Sequence, residues 1–479
     1  MGDAAPKPAR PFCAAAGGVS IGSCDARQGP GAGLGCAPLA IADRRPALRS
    51  NLFAADAKLA PYWWDRVPRP ALPELALPQQ ADVVVVGSGY TGLLAALQTA
   101  RGGRRTLVLD AEDAGWGCST RNGGQVSTSV KPSLDVLARL RLAMPAREIV
   151  REGQRSLAWM GEFIAAEKID CDFAVVGRFH AAHNTLQFEQ LARAAQQQPR
   201  GLEVEVQVVP RAEQHAELGT DAYWGGVVYK QHASIDPARY HQGLLERVRA
   251  ASADVVVHCA VTRIERDGQR FRVVTPRGSV QARNVVIATN GYTGTPTPWL
   301  RRRVIPIGSY IIATAALAPG LMQRLMPKNR IVSDTRKVVY YYRASPDRQR
   351  ILFGGRVSVS ETDPLVSGPQ LHRDLVALFP ELRDTRISHS WCGFVAYTFD
   401  ELMHTGCHEG LHYAMGYCGS GVGMGSYLGM RLGQKVLGLA EGRTAFDDLA
   451  FQTRPFYTGM PWFLAPSIRY YRWRDRFNG

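Results

Sequence analysis

Hydrophobic positions along the chain fall into short blocks whose period changes. The run Ala81-Asp82-Val83-Val84-Val85-Val86 is apolar and β-branched with little alternation, the pattern of a strand buried on both faces. It ends in Gly87-Ser88-Gly89-Tyr90-Thr91-Gly92, and a helical segment over 93–100 opens directly. A second apolar run over 105–109 closes on Asp110. Strand, tight turn, helix, strand and acid follow one another as in a mononucleotide-binding βαβ unit. Further on, apolar residues recur at helical spacing over 145–166 and 187–198, and strand patterns mark 203–209 and 224–229. A helix over 237–250 leads to strands at 255–258 and 271–275. An apolar strand at 284–287 then ends in the small-residue turn Ala288-Thr289-Asn290-Gly291. Strands at 337–343 and 350–355 flank Ser345-Pro346-Asp347, which predicts an antiparallel hairpin. The glycine-rich turn Gly419-Ser420-Gly421-Val422-Gly423 opens a last helix over 424–439. There is no internal repeat. The pattern predicts an α/β fold in which a dinucleotide-binding unit is interrupted by a second, sheet-rich one.

Each part of the first motif has a physical reason. Gly87 lets the strand turn sharply into the helix, Gly89 lets a pyrophosphate approach the backbone, and Gly92 lets helix and strand pack closely. The helix N-terminus offers free N–H groups and a partial positive charge. Asp110 lies 18 residues past Gly92, near the offset of an acid that holds ribose hydroxyls. The motif alone leaves NAD and FAD equally open.

Composition narrows the class. The chain has 479 residues, 46% apolar and 21% charged, as in a soluble globular protein, and no apolar run is long enough to span a bilayer. The net charge of +15 is mostly arginine and scattered, so it does not point to nucleic acid. The densest cluster is the aromatic and basic stretch over 469–476. Nine cysteines at irregular spacings argue for a reducing, cytoplasmic compartment and against structural zinc or disulfides. Residues 1–58 read as a disordered extension rather than a signal peptide.

Just after the second strand comes Gly115-Trp116-Gly117-Cys118-Ser119-Thr120-Arg121-Asn122-Gly123-Gly124-Gln125. This segment is too polar and too bendable for a core element; it reads as a loop whose backbone approaches a flat, hydrogen-bonding ligand. With it the chain resembles the amine and D-amino-acid oxidase (DAO) family of FAD-dependent oxidoreductases, nearest the branch that includes gamma-glutamylputrescine oxidase. The resemblance rests on five motifs in order: Trp63, the three glycines, this loop, Trp391-Cys392-Gly393 leading to Thr398-Phe399-Asp400, and the 419–422 turn. It spans about residues 60–440. It implies an FAD-binding Rossmann-like domain of glutathione-reductase type over 59–135, 225–300 and 385–445. It also implies an antiparallel-sheet α+β substrate domain over 136–224 and 301–384, and leaves a basic, aromatic tail over 446–479.

The resemblance further implies roles for single residues. Gly87, Gly89, Tyr90, Thr91 and Gly92 would wrap the pyrophosphate, with Asp110 and Ala111 at the adenosine ribose. Gly117, Ser119, Arg121, Asn122, Gly123, Gly124 and Gln125 would line the flavin and ribityl chain, beside Gly393. Val261 would read the adenine edge, and Ala288, Thr289, Asn290 and Gly291 would return under the pyrophosphate. Gly419, Ser420, Gly421, Val422 and Gly423 would place N–H groups at the flavin pyrimidine. Cys118, Thr120, Ser420 and Met403 depart from the usual residues there, which leaves FAD binding intact but the substrate open. Substrate-facing candidates are Tyr310, Tyr340, Tyr342 and Arg343. Alternation puts Tyr340 and Tyr342 on one face of the strand, and Tyr341 and Arg343 on the other. Cys392 is one position out of register for a flavin linkage, so non-covalent FAD is expected. Cys407 and Cys418 read as core thiols. His404, His408 and His412 lack a completing ligand set, so no metal is expected.

The implied reaction is oxidation of a C–N bond of an amine or amino acid by hydride transfer to flavin, followed by hydrolysis of the imine. No catalytic base is identified. Oxygen or another acceptor would reoxidise the cofactor. A dehydrogenase serving a quinone or carrier, and a flavoenzyme acting on RNA or a carrier-bound substrate, are the alternatives. Substrate and oligomeric state are not legible.

Overall fold

The computed structural model describes residues 51–128, 130–140, 145–355, 363–447 and 449–477. The expected N-terminal extension up to residue 50, with Cys13, Cys24 and Cys36, lies outside them.

The strand Gln80–Val86 is central to an eight-stranded sheet, between Gly278–Ile287 and Thr106–Leu109, and parallel to both. Val83, Val84 and Val85 are fully buried, which accounts for the unbroken apolar run. Asp254–Val256 extends the sheet beyond Thr106–Leu109. On the other side an antiparallel meander of Arg263–Asp267 and Arg270–Thr275 joins Gly278–Ile287, which also pairs with Leu411–Met415. His404–His408 pairs antiparallel with that last strand. Helices Tyr90–Arg101, Pro237–Ala250 and Gly423–Val436 cover one face and pack into its apolar core together with the helix Ala146–Ala166. The helices Tyr90–Arg101 and Gly423–Val436 pack unusually closely, since a Cβ on Gly429 would lie 2.5 Å from the Thr91 carbonyl oxygen.

A nine-stranded sheet forms the second layer. Its order is Phe53–Lys58, Ile387–Tyr397, Ile305–Thr314, Ile351–Gly355, Tyr341–Ala344, Ile331–Asp334, Arg178–Ala181, Gly226–Tyr229 and Val206–Val209. The expected hairpin is present as the antiparallel pair Tyr341–Ala344 and Ile351–Gly355. Three strands differ from expectation. Phe53–Lys58, assigned to the disordered extension, pairs parallel with Ile387–Tyr397. Gly226–Tyr229 and Ile387–Tyr397, assigned to dinucleotide-binding segments, pair in this second sheet through Arg178–Ala181 and Ile305–Thr314. Period-two patterning identifies a strand but not its neighbour, and these memberships are fixed by long-range register alone. Cys418 is buried as expected, but Cys407 is exposed at the end of the His404–His408 strand. No helix among the described residues is long and apolar enough to cross a membrane.

Candidate active site

The three glycines make the turn their spacing predicts. Gly87 sits at φ +104°, and its N–H donates to the Leu109 carbonyl at 2.8 Å. A Cβ on Gly92 would fall 1.9 Å from the Gly87 carbonyl oxygen, so only glycine lets the helix start this close to the strand. The turn Ala288-Thr289-Asn290-Gly291 runs beside it, with the Ala288 carbonyl oxygen 3.0 Å from where a Gly87 Cβ would be. Asn290 adopts φ +43°, and its side-chain oxygen accepts the Gly416 N–H at 3.0 Å. Asp110 turns inward: Oδ2 accepts the Ser88 N–H and hydroxyl at 2.7 and 2.6 Å, and Oδ1 accepts the Glu112 N–H at 3.0 Å. The carboxylate therefore fixes the glycine turn itself. Burial, outweighing these bonds, raises its pKa. Ala111 is exposed beside it, and Val261 packs half-buried against the core of this sheet.

Two long helices begin here without a side-chain cap. Tyr90–Arg101 starts after Gly89, and Gly423–Val436 starts after Val422. Their first turns touch: the Thr91 hydroxyl donates to the Gly425 carbonyl at 2.9 Å and lies 2.7 Å from the Tyr417 hydroxyl. Neither N-cap residue supplies a cap, and the two N-termini side by side bring positive dipole ends together. In the second turn Ser420 N–H bonds the Tyr417 carbonyl, and the Met424 and Gly425 N–H groups bond the Ser420 and Gly421 carbonyls. Gly423 approaches Val126 and Ser127, which brings this turn to the end of the glycine-rich loop.

Tryptophans hold that loop in shape. Trp64 Nε1 donates to Thr120 Oγ1, Trp391 Nε1 to the Arg121 carbonyl, and Trp63 Nε1 to the Asn122 carbonyl, each at 2.8 Å. Three consecutive loop residues are thus pinned by three indoles from chain segments more than 300 residues apart. The Arg121 guanidinium lies between the Trp64 and Trp116 rings, and donates to the Trp116 and Cys392 carbonyls. Asn122 Nδ2 donates to the Cys118 and Ser119 carbonyls, and its Oδ1 accepts the Gly124 N–H. Arg121 and Asn122, expected against the flavin, bond within and around their own loop. Ser119 Oγ accepts the Tyr90 N–H at 3.0 Å and would meet a Gly89 Cβ at 2.8 Å, so loop and glycine turn share one wall. Gly117 lies against Tyr292, Gly123 against the Tyr341 ring and Gly393 against Arg121. Gly124 is at φ +64°, and Gln125 Nε2 ties the loop to the second sheet through the Val332 and Tyr342 carbonyls.

The substrate candidates divide between two faces of the nine-stranded sheet. Tyr310 and Tyr342 are buried with Phe353 and Leu371 under the helix Pro364–Leu378, and Tyr340 packs on the same cluster. That face is turned away from the loop. Tyr341 and Arg343 are on the loop side. Arg343 Nη1 donates to the Gly124 and Ile235 carbonyls at 2.9 Å, and burial lowers its pKa to about 10. Tyr341 packs with Trp63 and Trp391 and lies 2.7 Å from Ser309 Oγ. Alternation had paired Tyr341 with Arg343, but nothing in the pattern says which face meets the loop.

Sequence reasoning also passed over Lys131 and Tyr397. A Cβ at Gly419, whose φ is +99°, would lie 3.9 Å from Lys131 Nζ and 4.0 Å from the Tyr397 hydroxyl. The Lys131 side chain is solvent-accessible, yet the protein around it desolvates the ammonium. Burial lowers its pKa, with Arg178 and Lys337 adding to the effect and Cys418 and Glu401 opposing it. Burial raises the Tyr397 pKa. His180, beside Ser333 at 2.9 Å, is held to about 4 by burial and then by Arg178 and Lys131. No signal in the sequence marks Lys131, which lies in the run Thr128-Ser129-Val130-Lys131-Pro132-Ser133, outside every glycine motif. The three histidines are otherwise engaged. His404 bonds Asp400 and stacks on Phe451, His408 stacks on Trp299, and His412 lies in the strand Leu411–Met415.

Comparison with known proteins gives a concordant result. The family model DAO, FAD dependent oxidoreductase, matches residues 82–435. Gamma-glutamylputrescine oxidoreductase of Escherichia coli K12 is 31% identical over 329 residues, 68% of this chain and 76% of that protein. A probable oxidoreductase OrdL of Rhizobium meliloti is 30% identical, over 69% of this chain and 76% of its own length. Glycine oxidase of Geobacillus kaustophilus superposes with a TM-score of 0.64 at 20% identity, covering 79% of this chain and 99% of that one; this likeness is one of fold.

Proposed function

The chain belongs to the DAO family of FAD dependent oxidoreductases, and we propose that it oxidises a C–N bond of an amine or amino acid, using FAD held without a covalent link. The observation that carries the cofactor's placement is the pair of uncapped helix N-termini in contact at Thr91 and Gly425, walled by the tryptophan-pinned loop. The residues suit such a group: the missing Cβ at Gly89 lets the Ser119 loop close on the glycine turn, and the donors are N–H groups suited to a diphosphate and a pyrimidine carbonyl. When bound, the flavin supplies the acceptor for the hydride that leaves the carbon bearing nitrogen.

The protein's own groups bind, orient and exclude water. The helix Tyr90–Arg101 would neutralise diphosphate charge, and the helix Gly423–Val436 would favour negative charge on the neighbouring flavin half of the cofactor. The loop face of the nine-stranded sheet, with Tyr341, Trp391 and Gly393, would roof the reacting carbon. Lys131 and Tyr397 flank Gly419 and are the proton-exchanging groups placed to meet a neutral amine. The amine becomes an imine, and water converts it to a carbonyl and ammonia or a smaller amine. Cys392 packs on the sheet face it shares with Tyr310, which supports non-covalent FAD.

A panel of amines and of D- and L-amino acids, followed for carbonyl and ammonia release in air, tests the reaction class. Hydrogen peroxide in equal amount would make oxygen the acceptor; turnover only with an added quinone would make the protein a dehydrogenase. Release of carbonyl with no member of the panel would contradict the proposal. Yellow chromophore that stays on the denatured polypeptide would contradict the non-covalent assignment.

A further inference from the structure

Fourteen large apolar or aromatic side chains are exposed among the described residues, and six of them fall within the eighteen residues 456–473. They are Phe456, Met460, Trp462, Tyr470, Tyr471 and Trp473, with Phe456 91%, Trp462 67% and Trp473 58% exposed. The segment is nevertheless ordered against the protein. Phe463 packs on Phe399 and Tyr457, and Ile468 is buried on the inner side of the helix Leu464–Phe477. Tyr470 and Trp473, one turn apart, lie on the outer side with ring centroids 6.3 Å apart. The helix thus buries Ile468 on its inner face and leaves Tyr470, Tyr471 and Trp473 exposed on the rest of its surface. Over 454–477 the sequence holds five arginines against one aspartate.

We propose that this surface docks the enzyme on an anionic lipid bilayer. Tryptophan and tyrosine favour the headgroup level, where an apolar ring and a polar edge are both satisfied, and arginines beside them are drawn to acidic headgroups. The charge argues against a second copy of the chain, because a two-fold contact would set these arginines against themselves. It is compatible with nucleic acid, but Phe456 and Met460 lie outside the arginine-bearing helix and add apolar area rather than a phosphate contact. With no helix fit to cross the membrane among the described residues, this would be peripheral attachment, weakened by salt.

The full-length, FAD-loaded protein should co-sediment with phosphatidylcholine vesicles containing about 30% phosphatidylglycerol and not with pure phosphatidylcholine. Raising salt from about 50 to about 500 mM should release it. Two double variants, Arg469→Gln with Arg474→Gln and Trp462→Ser with Trp473→Ser, should each weaken vesicle binding about tenfold or more while retaining FAD and amine oxidation in solution. The inference is overturned by absence of binding to the acidic vesicles at low salt, by equal binding to neutral ones, or by variants that bind as tightly as the parent. It is overturned as well by salt-sensitive binding to single-stranded RNA without vesicle binding, and by a dimer in solution that both double variants dissociate.

Discussion

Gly92 shows how far one position can be read. Its spacing identified it, and the structure supplies the reason: a Cβ there would stand 1.9 Å from the Gly87 carbonyl, far inside van der Waals contact. Gly92→Ala should therefore displace the helix start, and the purified protein should lose bound FAD while keeping its far-ultraviolet helix signal; retention of full yellow colour would contradict this. Asp110 was legible only in part. Its place at the end of a strand followed from spacing, but its bonds to Ser88 and Glu112 did not, because a sequence cannot say whether a carboxylate faces its own turn or a ligand. Lys131 was not legible at all as a site residue. Its meaning comes from Gly419, 288 residues away, and from the desolvation of its ammonium.

Among elements, the short helix Tyr62–Arg66 does more than its length suggests. Five residues deliver two indoles to the loop, and Arg66 bonds Asp236 and Asp172 at 2.9 and 2.8 Å, tying the helix to the start of Pro237–Ala250. Trp63→Phe keeps most of the ring but leaves the Asn122 carbonyl without its donor. The expected cost is about 1–3 kcal/mol in urea unfolding, with FAD binding weakened about tenfold because the loop loses its shape. Trp224→Phe, at an exposed ring stacked by Arg211, should change neither; equal behaviour of the two variants would refute the clamp. The hairpin teaches the complementary lesson. Its turn and strands were readable from Ser345-Pro346-Asp347 and the aromatic flanks, yet the choice of Tyr340 and Tyr342 over Tyr341 could not be made. A two-residue period names the faces without orienting them.

For the whole molecule, local order was legible and long-range pairing was not. The βαβ unit and the closing glycine turn could be placed because each is contiguous, whereas Gly226–Tyr229 and Ile387–Tyr397 joined the second sheet through partners far away in sequence. Burial also sets a global response to acid. His180, His232 and His241 are held to about 4, about 2 and about 4, and His389 and His412 are lowered too. Asp110 and Asp334, the latter raised to about 6, act in the opposite sense. Between pH 6.5 and 4 the unfolded chain thus binds more protons than the folded one, and histidine-linked stability present above this window is lost as pH falls through it. Urea unfolding at saturating FAD should show stability dropping from pH 7 to pH 5 by about 1.4 kcal/mol per pH unit for each net proton; a flat or rising profile would contradict the assignment. The central claim is that the two helix N-termini, the pinned loop, and Lys131 and Tyr397 beside Gly419 belong to one site, where FAD is reduced by an amine. Anaerobic mixing of the yellow protein with amines and amino acids, watched at the flavin absorption band, tests it most directly. The expected result is bleaching by at least one of them and recovery of colour on adding oxygen or a quinone, while a flavin that binds but is bleached by no amine would contradict it.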